Sequence, residues 1–391
     1  MRILLLGVGL QGRAALSDLV QSPEVDYVRA ADLDVQRLKA YVDGLRTDKV
    51  QCVSADAGDN DDLRSLLTAD IDLVIELLPS AFQRPVAELA VATGKHLVST
   101  TYDDGLHVLD QRARRADVTL MPEIGLDPGL DLVLCRLAVD GLDEVGELYS
   151  YGAGIPDASA ADNPLRYKVS WNFDDVLKAY NRPARVLRDN RAVDVPAPAL
   201  LAPSSRHSVH VDGVGDLEAF PNADAVAYAE RFGIRDQLRS TGRYSMRWPG
   251  HCDLLQSLIQ LGLLSDDPID LEGRAIVPRA FMREALGPKL QYAPHERDLA
   301  ILRVDARGHK DGEPTQIVYE LLDRRDPESG LFAMNRTVGF TVSVVAQMIL
   351  RGDITRRGVA SPTSDVPGEP LLAALGERGV EVTRSTRAPE A

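Results

Sequence analysis

Cysteine is scarce in this chain, and what there is forms no pattern. Cys52, Cys135 and Cys252 are the whole complement of 391 residues. Their scatter matches no zinc or redox spacing, so neither a disulfide framework nor a cysteine-bound metal is expected to organise the fold. Three free thiols, at least two of them packed, suit a reducing cytoplasm, which is the expected compartment. Long apolar runs are missing too. No stretch approaches the roughly 18 residues needed to span a bilayer. The opening MRILLLGVGL runs into Gly, Gln, Gly and Arg without a small-residue cleavage site, so it reads as a first strand rather than a signal peptide. Positive charge is also in deficit. With 44 Lys and Arg against 59 Asp and Glu the net charge is −15, and such a surface gains nothing from counterion release on nucleic acid or from an anionic membrane. An anionic substrate would need local cations. Fixed-period repeats and low-complexity tracts are absent, and only the tail after Thr383 is expected to fray.

What is present is ordinary globular material, 45% hydrophobic and 26% charged, long enough for two or three domains. From Met1 to about Asp131, short apolar runs (RILLLGV, DYVRAAD, VQCVSAD, DLVIELLP, HLVSTT, VTLMPEI) alternate with stretches of helical spacing such as GRAALSDLVQ and AFQRPVAELAVATG. Alternating strands and helices imply an α/β fold with a doubly wound parallel sheet, whose ligands lie at the carboxyl ends of the strands. Residues 1–131 are thus expected to form a dinucleotide-binding domain. A helix is expected over 129–141. Residues 132–333, with strands such as ELYSYGAGIP and LAILRVDARG, read as a second α/β domain. NRTVGFTVSVVAQMILRG then begins a C-terminal return, 334–391, whose long helix packs on the nucleotide domain or the domain seam.

Gly7-Val8-Gly9-Leu10-Gln11-Gly12 follows the first strand and opens a helix. Its glycines serve a tight turn, close approach of a pyrophosphate, and strand–helix contact, while the helix N-terminus offers N–H groups to the phosphates. Asp32 ends the second strand, where a carboxylate accepts hydrogen bonds from the adenosine ribose and repels a 2′-phosphate. NAD is therefore favoured, and Arg29 and Arg37 keep NADP open. Asp56, ending the third strand, reaches the adenine or merely caps a helix. At the ends of the fourth and fifth strands, Leu77, Leu78 and Pro79 are placed along the nicotinamide, and Ser99, Thr100 and Tyr102 are hydrogen-bonding candidates for substrate or cofactor. Ordinary turns explain those hydroxyls equally well.

MPEIGLDPGLD, residues 121–131, ends the sixth strand with an acid, a proline and glycines. Pro128 and Gly129 are explained by the turn; Asp127 is not, and it sits where it would face a crevice. Farther on, DNPLRYKVSW and RYSMRWPGH mix basic and aromatic residues. Arg247, Lys168 and Arg166 are candidate carboxylate ligands there, arginine being suited to bidentate pairing. His207 and His210 fall on opposite faces of a strand, and no metal site is expected.

The stretches GVGLQG, KHLVSTTY, PEIGLDPGLD, DNPLRYKVSW, AFPNADAVAYAERFGI, RYSMRWPGH, HERD and RTVGF, in this order, resemble the saccharopine dehydrogenase family. The match runs to about residue 360 and is loose over about 175–215. The resemblance implies a Rossmann domain with a C-terminal return and an inserted α/β substrate domain, assembled as a homodimer. It implies oxidation of saccharopine by NAD or NADP to glutamate and 2-aminoadipate 6-semialdehyde. It also implies an acid–base or amine-orienting role for Asp127, a substrate carboxylate on Arg247, and further substrate contacts from Tyr102, Ser99 and Lys168. Asp32 departs from the basic or neutral polar character of the NADP-using members. The chain also resembles lysine 6-dehydrogenase, an NAD-dependent oxidative deaminase of the lysine ε-amine. A third reading is a protein that senses NAD without turning it over.

Overall fold

The computed structural model describes residues 1–103 and 105–389. They divide into two units: Met1–Arg136 with Asn335–Glu381, and Leu137–Met334 with the residues from Val382 onward.

The first unit is built on a parallel sheet. Its strands and helices alternate as β1 (Arg2–Leu6), α1 (Leu10–Gln21), β2 (Tyr27–Asp32), α2 (Val35–Leu45), β3 (Val50–Ser54), α3 (Asn60–Leu66), β4 (Leu73–Glu76), α4 (Gln83–Thr93), β5 (His96–Ser99), α5 (Asp110–Arg115) and β6 (Thr119–Met121), after which α6 (Leu130–Asp140) leaves the sheet. The described strands lie in the order β3-β2-β1-β4-β5-β6, the dinucleotide-binding order with its topological switch beside β1. Ile3, Leu4 and Leu5 are fully buried, as are Leu73, Val74 and Ile75. Central parallel strands are covered on both faces and so carry continuous apolar runs. Helix ends follow local chemistry: Asp34 caps α2 by accepting from the Arg37 backbone N–H, and Gly94 closes α4 with φ +69°.

The return segment completes this unit. A long helix, α11 (Ala333–Arg351), approaches α1 so closely that a Cβ on Gly339 would lie 2.6 Å from the Ala14 Cβ and 2.7 Å from the Gln11 carbonyl oxygen. Buried polar bonds accompany the contact: Ser343 Oγ donates to Asp18 Oδ2 and Ser22 Oγ to Gln347 Oε1, each at 2.6 Å. The two-residue strand β17 (Gly358–Val359) then pairs parallel with β6 as a seventh strand, and α12 (Gly368–Gly376) follows, with Arg378 Nε on Asp18 Oδ1.

The second unit holds a mixed sheet. Its elements are β7 (Glu144–Pro156), α7 (Phe173–Ala179), β8 (Ala184–Arg188), β9 (Arg191–Val195), β10 (His207–Val211), β11 (Gly215–Pro221), α8 (Ala225–Arg231), β12 (Ser240–Arg247), α9 (His251–Gln260), the hairpin β13 (Ile269–Leu271) and β14 (Arg274–Ile276), α10 (Pro278–Leu286), β15 (Asp298–Lys310) and β16 (Glu313–Arg324). The described order is β10-β11-β12-β7-β15-β16, with β8 and β9 attached beside β12 and a last strand from the chain's end added beside β16. The terminal strand β18 (Val382–Arg387) corrects the expectation that the chain frays after Thr383: it lies antiparallel to β16, with Gln316 opposite Arg387. Its side chains are almost all exposed, so no apolar periodicity announces it. Backbone pairing to an available edge is what orders it. His207 packs edge-on against Tyr244, ring centroids 4.7 Å apart, while His210 pairs with Asp216.

Candidate functional site

In the first unit the glycine motif sits at the carboxyl end of β1. Gly7 has φ +84°, and a Cβ there would come within 2.7 Å of the Leu77 carbonyl oxygen and 3.2 Å of Leu78 Cδ2. A Cβ on Gly12 would collide with the Gly7 carbonyl. Those two glycines therefore pack strand, helix and the Leu77–Leu78 loop together. Gly9 differs, because a Cβ on it would meet nothing within 4 Å. It caps α1 without any side-chain hydrogen bond, so the first turn at Leu10 and Gln11 opens to free space. That is the geometry in which a pyrophosphate approaches backbone N–H groups. The cradle fits a dinucleotide.

Asp32 stands at the end of β2 beside this loop. Its Oδ2 accepts from the Val8 N–H at 2.8 Å and its Oδ1 from the Asp34 N–H at 3.0 Å. A guanidinium that the sequence reading passed over, Arg13, lies near. It stacks on the Tyr41 ring at 5.1 Å, and its buried Nε has no hydrogen-bond partner among the described residues. Burial lowers the Arg13 pKa first and the like charge of Arg37 next, against the opposing pull of Tyr41 and Asp32. Arg29 is elsewhere, bonded to the Leu66 carbonyl, Thr68 and Gln51. Asp56 is exposed and closes a turn by accepting from the Gly58 N–H at 2.8 Å; the cap of α3 is Asp59.

Beside β1, a buried carboxyl ends β4. Glu76 is 0% exposed; its Oε1 accepts from the Leu78 N–H at 2.7 Å and its Oε2 from Ser99 Oγ at 2.6 Å. Burial pushes its pKa up to about 7, against the lowering effect of those two bonds. Ser99, a candidate substrate contact, is thus itself fully buried and tied to Glu76 and the Thr101 N–H. Leu77 and Leu78 are half-buried, Pro79 is exposed, and Thr100 and Tyr102 are half-buried. Thr100 lies against the loop after β6, where a Cβ on Gly125 would stand 3.7 Å from the Thr100 Cβ.

That loop is closed on itself. Gly125 N–H donates to the Pro128 carbonyl, Leu130 N–H to the Gly125 carbonyl, and Gly129 N–H to Asp131 Oδ1. Gly129 has φ +144°, and a Cβ on it would strike the Gly125 backbone. Glu123 holds φ +61° while 2% exposed. Every residue from Val118 to Cys135 is buried except Asp127, which is half-buried. The fold thus turns one acid outward from an otherwise buried stretch.

In the second unit Arg247 ends β12 and is 7% exposed. Its Nε donates to the Tyr180 hydroxyl at 3.0 Å and its Nη1 to the Met246 carbonyl at 2.8 Å. No carboxylate among the described residues pairs with it. Lys168 is different: its Nζ meets Glu296 at 2.5 Å and Asp162 at 3.1 Å, so two acids already neutralise it. Arg166 is exposed and donates to the Pro249 carbonyl. Sequence reasoning missed Glu76, Arg13, Tyr180 and His251. Only Glu76 had left a signal, an acid closing an otherwise apolar parallel strand.

With the geometry established, comparison with known proteins places the chain. The family model described as "Saccharopine dehydrogenase NADP binding domain" matches residues 3–121, and "Saccharopine dehydrogenase C-terminal domain" matches 125–380. Alpha-aminoadipic semialdehyde synthase, mitochondrial, of Bos taurus is 27% identical over 98% of this chain, which spans 47% of that relative, about half its length. Saccharopine dehydrogenase [NADP(+), L-glutamate-forming] of Pyricularia oryzae is 27% identical over 97% of both chains. The apo saccharopine dehydrogenase (L-Glu forming) structure from Saccharomyces cerevisiae shares the fold with a TM-score of 0.86 at 24% identity, covering 99% of this chain and 100% of that one. The chain belongs to the saccharopine dehydrogenase family.

Proposed function

We propose that the protein oxidises saccharopine to L-glutamate and 2-aminoadipate 6-semialdehyde with a nicotinamide dinucleotide. The observation that carries this is Arg247, a buried guanidinium without a carboxylate partner among the described residues. A buried charge left without a counterion is strongly destabilising, and a substrate bearing three carboxylates supplies what is missing. The name of the Pyricularia oryzae relative, matched over 97% of its own length, supports the same reaction.

The bound dinucleotide supplies a hydride acceptor. With the secondary amine neutral, hydride loss from the adjoining carbon leaves an iminium. Asp127 is read as the base that takes a proton from the water adding there, and as the acid that returns it to nitrogen when the C–N bond breaks. The carbinolamine hydroxyl gives up its own proton to water as the bond breaks, so glutamate leaves with the amine, the other fragment leaves as the aldehyde, and one proton is released overall. Arg247 orients one substrate carboxylate; Tyr102 is a further contact, while Ser99 and Lys168 act through their neighbours Glu76 and Glu296.

On the cofactor, the Asp32 carboxylate argues for NAD, but Arg13 and Arg37 beside it argue for NADP, as do the NADP-specific names of the relatives. Both Asp32 oxygens already accept backbone N–H groups, which lessens the charge presented to a 2′-phosphate. We read the protein as using NADP, with NAD as a working second cofactor. The assembly is read as a homodimer on the family resemblance, which light scattering at twice the chain mass checks. Saccharopine and lysine, each with NADP and with NAD, test the activity by absorbance of the reduced cofactor. Reduction with lysine alone would refute the substrate, and reduction with neither would leave a protein that only binds the nucleotide.

A further inference from the structure

Arg247 is set in an arrangement that the reaction does not by itself require. Partly exposed arginines of the same unit hold acids: Arg206 meets Glu218 and Asp253, and Arg279 meets Asp174 and Asp266. Arg247 is more deeply buried than either, and its neighbours are neutral. Its guanidinium lies 5.3 Å from the Tyr167 ring centroid, 5.8 Å from that of Tyr180 and 5.9 Å from that of Phe220.

The hydrogen bonds around it run in one direction. His251 Nδ1 is 2.6 Å from the Leu165 carbonyl oxygen, which can only accept, so Nδ1 carries the ring proton. Burial, and then the charge of Arg247, lower the His251 pKa to about 3, so Nε2 stays bare. The Tyr180 hydroxyl, 2.8 Å from Nε2, therefore donates to it and offers its own lone pair to Arg247 Nε. Arg247 gives to Tyr180, Tyr180 to His251, and His251 to the Leu165 carbonyl. Arg247, Tyr180 and His251 are at most 7% exposed. The chain fixes the plane of the guanidinium without neutralising it, which a carboxylate in the same place would do.

Two further hydroxyls nearby lack a well-formed hydrogen bond among the described residues. Tyr167 is 1% exposed, and its hydroxyl has no well-formed hydrogen bond among the described residues, although the Trp171 side chain acts on it. The Tyr292 hydroxyl is buried and unpartnered among the described residues too; burial raises the pKa of both phenols, Asp298 and Glu296 push that of Tyr292 the same way, and the Arg247 charge opposes the rise in both. Buried hydroxyls are normally satisfied, so two orphans beside a counterion-free cation point to an acceptor that binds there.

We propose that Arg247, Tyr167 and Tyr292 form a pocket for one substrate carboxylate, and that Tyr180 and His251 are positioning residues that hold the Arg247 fork in its plane. This rests on the reading of Arg247 as a substrate-carboxylate ligand, and it adds the hydroxyls that complete the pocket and the neutral bracket that aims it.

The test is steady-state kinetics with saccharopine and NADP on Tyr167→Phe, Tyr292→Phe, Tyr180→Phe and Arg247→Ala, with thermal melts and NADP binding measured on each. Each Tyr→Phe change should raise KM for saccharopine about tenfold, the loss of one hydrogen bond involving a charged group. Turnover and NADP affinity should stay near wild type. In the Arg247→Ala background, Tyr180→Phe should add nothing further; independent, additive losses would mean a merely structural role. His251→Leu should raise KM, and His251→Gln, which keeps an acceptor near the Nε2 position, should restore most of it. Should His251→Leu fail to fold, the Tyr180→Phe cycle decides. If Arg247→Ala leaves KM unchanged, the carboxylate reading itself falls. If Arg247→Ala raises KM and the three tyrosine variants do not, that reading stands and the pocket proposed here is wrong.

Discussion

Ser99 Oγ donates to Glu76 Oε2 at 2.6 Å where β5 and β4 end, and both residues are 0% exposed. In the folded chain Glu76 releases its proton near pH 7, whereas an unfolded chain does so near 4.5. Between those values the unfolded chain binds fewer protons, so this residue makes stability fall as pH rises from about 4.5 through about 7, by at most about 3 kcal/mol. Glu76→Gln removes the titration while leaving an acceptor for Leu78. Its melting temperature relative to wild type should climb from pH 5 to pH 8. A pH-independent difference would show that Glu76 does not ionise in this range.

Asp127 is the one residue between Val118 and Cys135 that is not buried. Asp127→Asn should lower turnover with saccharopine by about 10²- to 10⁴-fold, the usual range for general acid–base catalysis. NADP binding, followed by fluorescence of the reduced form, should remain close to wild type. Loss of cofactor binding instead would place this side chain on the dinucleotide.

The cofactor choice is contested between Asp32 and the arginine pair. Asp32→Asn keeps an acceptor for the Val8 N–H and removes the charge, so kcat/KM should shift toward NADP by about tenfold. Arg13→Ala should weaken NADP more than NAD by a similar factor. Unchanged cofactor ratios in both variants would remove these residues from the ribose end of the site.

Gly339 lets α11 lie against α1. Gly339→Ala would place a methyl group 2.6 Å from both the Ala14 Cβ and the Ala15 nitrogen. Overpacking of that kind costs about 1–3 kcal/mol. Urea melts should show the loss in midpoint at unchanged slope, and an unaffected midpoint would mean the helices separate freely.

Much of the first unit could be read in advance because its signals are local. Ile3–Leu6 and Leu73–Ile75 are apolar runs of strand length, and buried parallel strands need that composition. The glycines at 7 and 12 are required by close approaches within the fold, whereas Gly9 leaves the space before the first turn of α1 open. The strand β18 was illegible, since Val382–Arg387 is polar and exposed and takes its order from the edge of β16. β17 was equally silent: two residues have no periodicity, and only the neighbouring edge of β6 makes them a strand.

The site divides in the same way. Residue type and order determined the dinucleotide cradle, the acid at the end of β2, and an outward Asp127, because each depends on a turn or a strand end within a few residues. Tertiary structure decided which polar groups are spoken for. Ser99 is tied to Glu76, Lys168 to Glu296 and Asp162, while Arg247, held by Tyr180 from 67 residues away, keeps its charge. Whether a buried cation has a counterion depends on which distant segments the fold brings beside it, and no local pattern encodes that.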